Sequence, residues 1–150
     1  MLKLSSKIDN ERGFTLIEIM VVIVILALLA ALVGPKIMGR TDDAKIETTK
    51  TQIRNLESAL KLYKLDNGIY PTTEQGLNSL VAKPTVGVIP TSYKEGGYLE
   101  SKSVPKDGWG NDFLYVSPGE HGDYDLYSFG ADGTKGGEGK NADINSWDLK

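Results

Sequence analysis

The sequence predicts an α+β fold in which one long, bent N-terminal helix packs on a small antiparallel β-sheet and a long C-terminal loop closes the chain. Three observations predict it. Residues 14–33, FTLIEIMVVIVILALLAALV, are apolar except for Thr15 and Glu18. A single apolar stripe follows over residues 46–63, and two short strand-like segments flank a Pro-Gly turn at Pro118-Gly119. From Gly130 onward the chain is rich in Gly, Asp and Lys and shows no periodicity. With 150 residues in all, about a hundred remain to build one modest core after the apolar run.

The elements can be taken in order. The leader MLKLSSKIDNERG carries Lys3, Lys7 and Arg12 against Asp9 and Glu11, so it is net positive and is expected to stay cytoplasmic. About 20 helical residues span about 30 Å, the thickness of a bilayer's hydrocarbon core. The run is too long for a cleaved secretory signal and has no A-x-A site behind it, so it reads as an anchor over 14–34. Gly34-Pro35 should bend the helix, because proline removes a backbone donor and crowds the preceding turn. Ile46, Ile53, Leu56, Leu60 and Tyr63 then fall on one face, with charged residues on the remainder. Asn67-Gly68 is a stop signal, which sets the helix at 14–66 and a globular part at 67–150.

Beyond it, Thr72 and Gln75 have capping-box spacing before Leu77, Leu80 and Val81, which predicts a short helix closed by Lys83-Pro84. Residues 85–108 read as loop. Residues 112–116 and 125–129 read as an antiparallel hairpin, with Trp109 and Tyr115 packing the sheet on the helical stripe. In the tail only Trp147 is a large anchor.

Composition excludes several functions. The net charge of −3 and the absence of a basic run exclude a nucleic-acid partner. Without cysteine there is no lipid-modified Cys anchor, disulfide or thiolate metal site. No enzyme is expected: His121 stands alone, Ser117 and Ser128 lack a G-x-S-x-G context, and no phosphate loop occurs.

Two places carry chemistry. Glu18 is costly inside a membrane span, so it either reaches water or has a partner. A cut after Gly13 would give Phe14 a cationic amine about one helical turn away. At the other end, Asp132, Glu138, Asn141 and Asp143 with nearby carbonyls offer the hard oxygens calcium prefers. The span Asp132–Asp143 superficially matches an EF-hand, but Gly136 takes a ligand position and no helices flank it. Composition leaves calcium and a solvated tail both open.

The stretch Arg12-Gly13-Phe14-Thr15-Leu16-Ile17-Glu18 before an apolar helix resembles the class III signal of type IV pilins and pseudopilins. Tyr70-Pro71-Thr72-Thr73-Glu74-Gln75-Gly76-Leu77, Pro105–Asn111, Phe129–Gly133 and Ala142–Trp147 are similar to the type II secretion major pseudopilins. The resemblance implies a pilin-like fold and cleavage between Gly13 and Phe14 by a prepilin peptidase, with N-methylation of Phe14. It gives Glu18 the carboxylate that meets a neighbouring subunit's amino terminus, and Pro35 the helix-bending role. It implies one Ca2+ in the C-terminal loop, with Asp132 and Asp143 as side-chain ligands and Phe129 as a carbonyl ligand. Glu138, Lys140 and Asn141 are left open for the remaining positions. It further implies a homopolymer, single-pass in the inner membrane with its C-terminal domain in the periplasm. Minor pseudopilins, an inner-membrane assembly platform and membrane lipid are the implied partners, and the filament promotes export of folded proteins across the outer membrane. Where the family often has Asp-Pro-Trp-Gly, this chain has Asp107-Gly108-Trp109-Gly110, a change expected only to relax a turn. A type IV pilus subunit and an anchored calcium-binding domain that never polymerises are the alternatives.

Overall fold

The computed structural model describes residues 13–149, residues 32–40 by backbone alone. Most of the leader expected over 1–13 therefore lies outside the described residues, as does the side chain of Pro35, where the bend was expected. The chain divides into two compact units, Met1–Gly39 and Arg40–Lys150.

Helix α1 runs Leu16–Asn67. Over residues 16–31 its side chains are apolar apart from Glu18 and all exposed, the large hydrophobic ones from Ile19 and Val22 at 46% to Leu16 at 80%. Among the described residues, no helix is long and apolar enough to cross a membrane. The span expected over 14–34 extends past the last described side chain, at Ala31.

In the second unit the predicted stripe is the core. Ile53, Leu56, Leu60 and Tyr63 are fully buried, and Ile46 packs at the edge of the same cluster. Spacings of three and four bring them onto one side of the helix. Complete burial of such an aliphatic side chain contributes about 1.5–3 kcal/mol. The helix ends where the stop signal predicts: Gly68, at φ 80°, donates its N–H to the Lys64 carbonyl at 2.7 Å.

The capping box forms, with Thr72 N–H donating to Gln75 Oε1 at 3.1 Å and Gln75 N–H to Thr72 Oγ1 at 3.3 Å. The expected short helix is tighter than an α-helix, a 3₁₀ turn over Leu77–Leu80. Gln75 also donates to the Val86 and Val88 carbonyls, at 2.8 and 3.0 Å, and so pins the following loop.

Strands β1 (Leu114–Val116) and β2 (Asp125–Ser128) form the expected hairpin, shorter by a few residues, with Tyr115 opposite Leu126. A third strand, β3 (Ile144–Asn145), pairs antiparallel with β2 in the order β1-β2-β3. The tail expected to lack regular structure thus returns to the sheet. Only Tyr127–Asn145 and Ser128–Ile144 pair, and two residues are too few to show a period of two. Tyr115, Leu126, Ser128 and Ile144 are buried in the core layer with α1. Trp109 packs against that core as expected. Tyr115 donates to the Pro71 carbonyl at 2.8 Å, and burial pushes its phenol up to about 12.

Candidate functional site

The first candidate site is the start of α1. Glu18 N–H donates to Thr15 Oγ1 at 3.2 Å, and Thr15 N–H donates to Glu18 Oε2 at 3.4 Å. This is a reciprocal capping box, which satisfies two of the orphan donors at a helix start. Glu18 therefore has a partner within its own chain. The T-x-x-E spacing signals this, as the Thr72–Gln75 spacing signals the second capping box. Phe14, on the other side of the candidate cleavage point from Gly13, is 76% exposed.

The second candidate site is the loop between β2 and β3. Ala131 N–H donates to the Lys140 carbonyl at 2.9 Å, and Gly136 N–H donates to Asp143 Oδ1 at 2.9 Å. Asp132 Oδ1 accepts from Thr134 N–H at 3.1 Å. Gly130, at φ 69°, sits so close to the loop's return that a Cβ there would lie 2.8 Å from the carbonyl oxygens of both Lys140 and Ala142. No side chain fits, and the backbone conformation itself favours glycine. Lys140 Nζ reaches Asp42 on α1 at 3.3 Å, which ties the loop to the helix.

Behind this loop lies a network built on Asp107, a residue to which the sequence reading gave no role. Its Oδ1 accepts the N–H groups of Trp109 and Asn111, and its Oδ2 accepts the Ser128 hydroxyl at 2.7 Å. Ser128 Oγ accepts from Gly130 N–H at 3.1 Å, and Asn111 Nδ2 donates to the Gly130 carbonyl at 3.0 Å. The entrance of the loop is fixed on both its polar groups.

The family profile described as type II secretion system (T2SS), protein G matches residues 36–147. The prokaryotic N-terminal methylation motif matches residues 8–34. The chain belongs to the type II secretion system protein G family. It is 51% identical to the type II secretion system core protein G of Vibrio cholerae serotype O1, covering 96% of this chain and 97% of that one. With the core protein G of Pseudomonas aeruginosa the identity is 53%, covering 93% and 96%. The crystal structure of the major pseudopilin from the type 2 secretion system of enterohaemorrhagic Escherichia coli superposes with a TM-score of 0.64 at 42% identity. It covers 74% of this chain and 93% of that chain. The resemblance read from the motifs and the pilin-like α+β fold are both borne out.

Within this protein G family member, the loop's chemistry can be tested against a calcium ion. Its donors are hard: the Asp132 and Asp143 carboxylates and the Lys140 and Ala142 carbonyls that close on Gly130. Among the described residues no group of three or more His, Cys, Asp or Glu side chains is placed to hold a metal. The loop's oxygens are of the hard kind that calcium takes, and within the same loop Asn141 N–H donates to the Glu138 carbonyl at 3.1 Å. Phe129 stands directly before Gly130, its ring 5.3 Å from that of Tyr127.

His121, which stands alone in the sequence, is engaged twice. Its Nδ1 lies 3.0 Å from Asp125 Oδ2, and its ring stacks on Trp147 with centroids 3.9 Å apart and 6° between planes. Burial alone would raise the Asp125 carboxyl. The His121 bond and the N–H groups of Glu120 and His121 outweigh it, and hold the carboxyl below its ordinary 3.8. A native value below the unfolded one gives stability that is present above 3.8 and lost as pH falls through the native value. Asp125→Asn should therefore differ most from the parent at neutral pH. The gap in melting temperature should narrow between about pH 5 and pH 2; a gap constant with pH would contradict the linkage.

Proposed function

We propose that this chain is the precursor of the major subunit of a type II secretion pseudopilus. Cut between Gly13 and Phe14 by a prepilin peptidase and N-methylated at Phe14, it rests in the inner membrane on residues 14–34 with its globular part in the periplasm. It then polymerises, with minor pseudopilins and an inner-membrane platform, into a periplasmic filament that promotes export of folded proteins.

The observation that carries this is the conjunction of family and surface. A protein G chain presents a helix half that is apolar apart from Glu18, with Ile17, Met20, Val21 and Val24 at 52–70% exposure, within the span of the methylation motif. An apolar surface of that extent needs lipid or other copies to cover it. Glu18 supports the same reading: its self-cap leaves one carboxylate at the helix start, which a neighbouring Phe14 ammonium can engage once the leader is gone.

Co-expression with the peptidase and assembly platform tests this. Mass spectrometry should find N-methyl-Phe14, and Glu18→Ala should insert in the membrane yet yield at least tenfold fewer filaments, since it loses a charge-assisted pairing of about 1.5–3 kcal/mol. An intact leader, or undiminished filaments from Glu18→Ala, would sink the proposal.

The loop 130–143 would hold Ca2+ through Asp132 and Asp143 with carbonyls from Phe129, Lys140 and the return segment. The ion would supply positive charge to a segment with too few apolar residues to order itself. Calcium at a hundredfold excess over Kd should stabilise the protein by about 2.7 kcal/mol, and chelator should reverse it. A melting temperature indifferent to chelator in the parent would remove calcium from the account.

A further inference from the structure

We propose that His121 and Trp147 form a latch that positions the loop 130–143, including Asp143, for its cation; the cation part rests on the calcium reading above. The loop enters from β2 and leaves into β3, and those strands share only two residue pairs. Two pairs are a weak clasp for a loop of this length. Further support comes from beyond β3. The 3₁₀ turn Ser146–Asp148 carries Trp147, whose indole lies flat on His121 and edge-on to Tyr127, 6.0 Å between centroids at 65°. Ser146 Oγ accepts the Leu126 N–H at 3.4 Å on the same strap.

The His121 ring is itself fixed. Asp125, buried on β2, takes the imidazole on Oδ2 at 3.0 Å and the backbone N–H groups of Glu120 and His121, also at 3.0 Å each. Gly119 packs against the Tyr124–Asp125 backbone so closely that a Cβ would meet it at 2.5–2.7 Å. The turn that carries His121 is therefore rigid where it touches β2. Orientation passes from a buried carboxylate to the imidazole, from the imidazole to the indole, and from the indole along four residues to Asp143. One groove of about 380 Å3 brings these groups together: His121 and Trp147 line it with Phe129 and Asp143. Neither aromatic is a ligand. Both are positioning residues, of the kind whose loss weakens a metal site about 10–100-fold without touching the metal.

The experiment uses the full chain in detergent micelles. His121→Ala should weaken calcium binding, read by calorimetry, about tenfold or more. His121→Phe, which keeps a stacking ring and gives up the Asp125 bond, should recover only part of that loss. Terbium luminescence excited through tryptophan should track the same order in the His121 variants. Equal calcium affinity in parent and His121→Ala would overturn the positioning role. So would a loss that His121→Phe fails to restore even in part. Hydrogen exchange in metal-free protein separates this from the calcium reading. The Ala131 and Gly136 amides should exchange faster in His121→Ala while those of Tyr63 and Leu60 on α1 stay protected. If the parent binds no calcium, the calcium reading fails and the exchange result still decides the latch. Unchanged loop exchange overturns it.

Discussion

Gly108→Ala is expected to destabilise the Arg40–Lys150 unit by about 2–3 kcal/mol, the upper end of what overpacking costs. A Cβ at Gly108 would run into the Lys45 carbonyl oxygen and lie 2.8 Å from Lys45 Cα. These are backbone atoms inside α1, so they cannot rotate aside as a side chain would. The contact is also polar. Gly108 N–H donates to Thr49 Oγ1 at 2.9 Å, while that hydroxyl donates to the Lys45 carbonyl at 2.8 Å and is fully buried. Proline at 108 would add to the clash the loss of this N–H, and leave a buried hydroxyl short of a donor at a further cost of about 1–3 kcal/mol. The sequence expectation, that glycine in place of the family's frequent proline merely relaxes a turn, understates its role. In this chain it lets the 105–111 loop seat on the helix. Thr49→Val keeps the shape and removes only the hydroxyl, so it should cost about 1–2 kcal/mol. Denaturant midpoints of the three variants at constant m-value measure the series. A Gly108→Ala midpoint equal to the parent's would show that α1 yields there.

Which parts of this could be read from residues alone follows from separation along the chain. The stripe Ile53, Leu56, Leu60 and Tyr63 was legible because a period of 3.6 repeats over several turns. The Gly13-Phe14 motif was legible because its parts adjoin. Glu18 announces that it needs a partner, and the T-x-x-E spacing to Thr15 supplies one within the chain. β3 was not legible, since one buried Ile144 amid polar residues carries no pattern. His121 lies four residues from Asp125, yet its engagement with Trp147 depends on the strap returning across the sheet. The candidate loop showed its oxygen-rich composition and hid its geometry, because the close approach of Gly130 to Lys140 and Ala142 is a tertiary fact. Contacts that close at long range leave single residues, not periods, in the sequence.

Asp107 is the sharpest case, and its substitution should be the most damaging. Asp107→Ala is expected to cost about 3–5 kcal/mol, the range for breaking a buried, charge-bearing network. Its carboxylate, only 6% exposed, serves two backbone N–H groups and the Asn111 side-chain amide within its own turn, and one hydroxyl on β2. Alanine would leave the Trp109 and Asn111 amides and Ser128 without that acceptor, each a loss of a charge-assisted bond. Asp107→Asn keeps an oxygen for the two amides and turns an amide N–H toward Ser128, whose hydroxyl can accept it. That variant should lose only about 1–2 kcal/mol. The effect should also travel. Ser128 and Asn111 hold the N–H and carbonyl of Gly130, so releasing them frees the entrance of the oxygen-bearing loop. Ser128→Ala cuts this link and leaves the Asp107 turn intact. Amide exchange at Gly130 and Ala131 should therefore rise in Ser128→Ala while the Trp109 and Asn111 amides keep their protection. Equal exchange at all four positions would mean that the turn and the loop are held separately, and that Asp107 stabilises the turn alone.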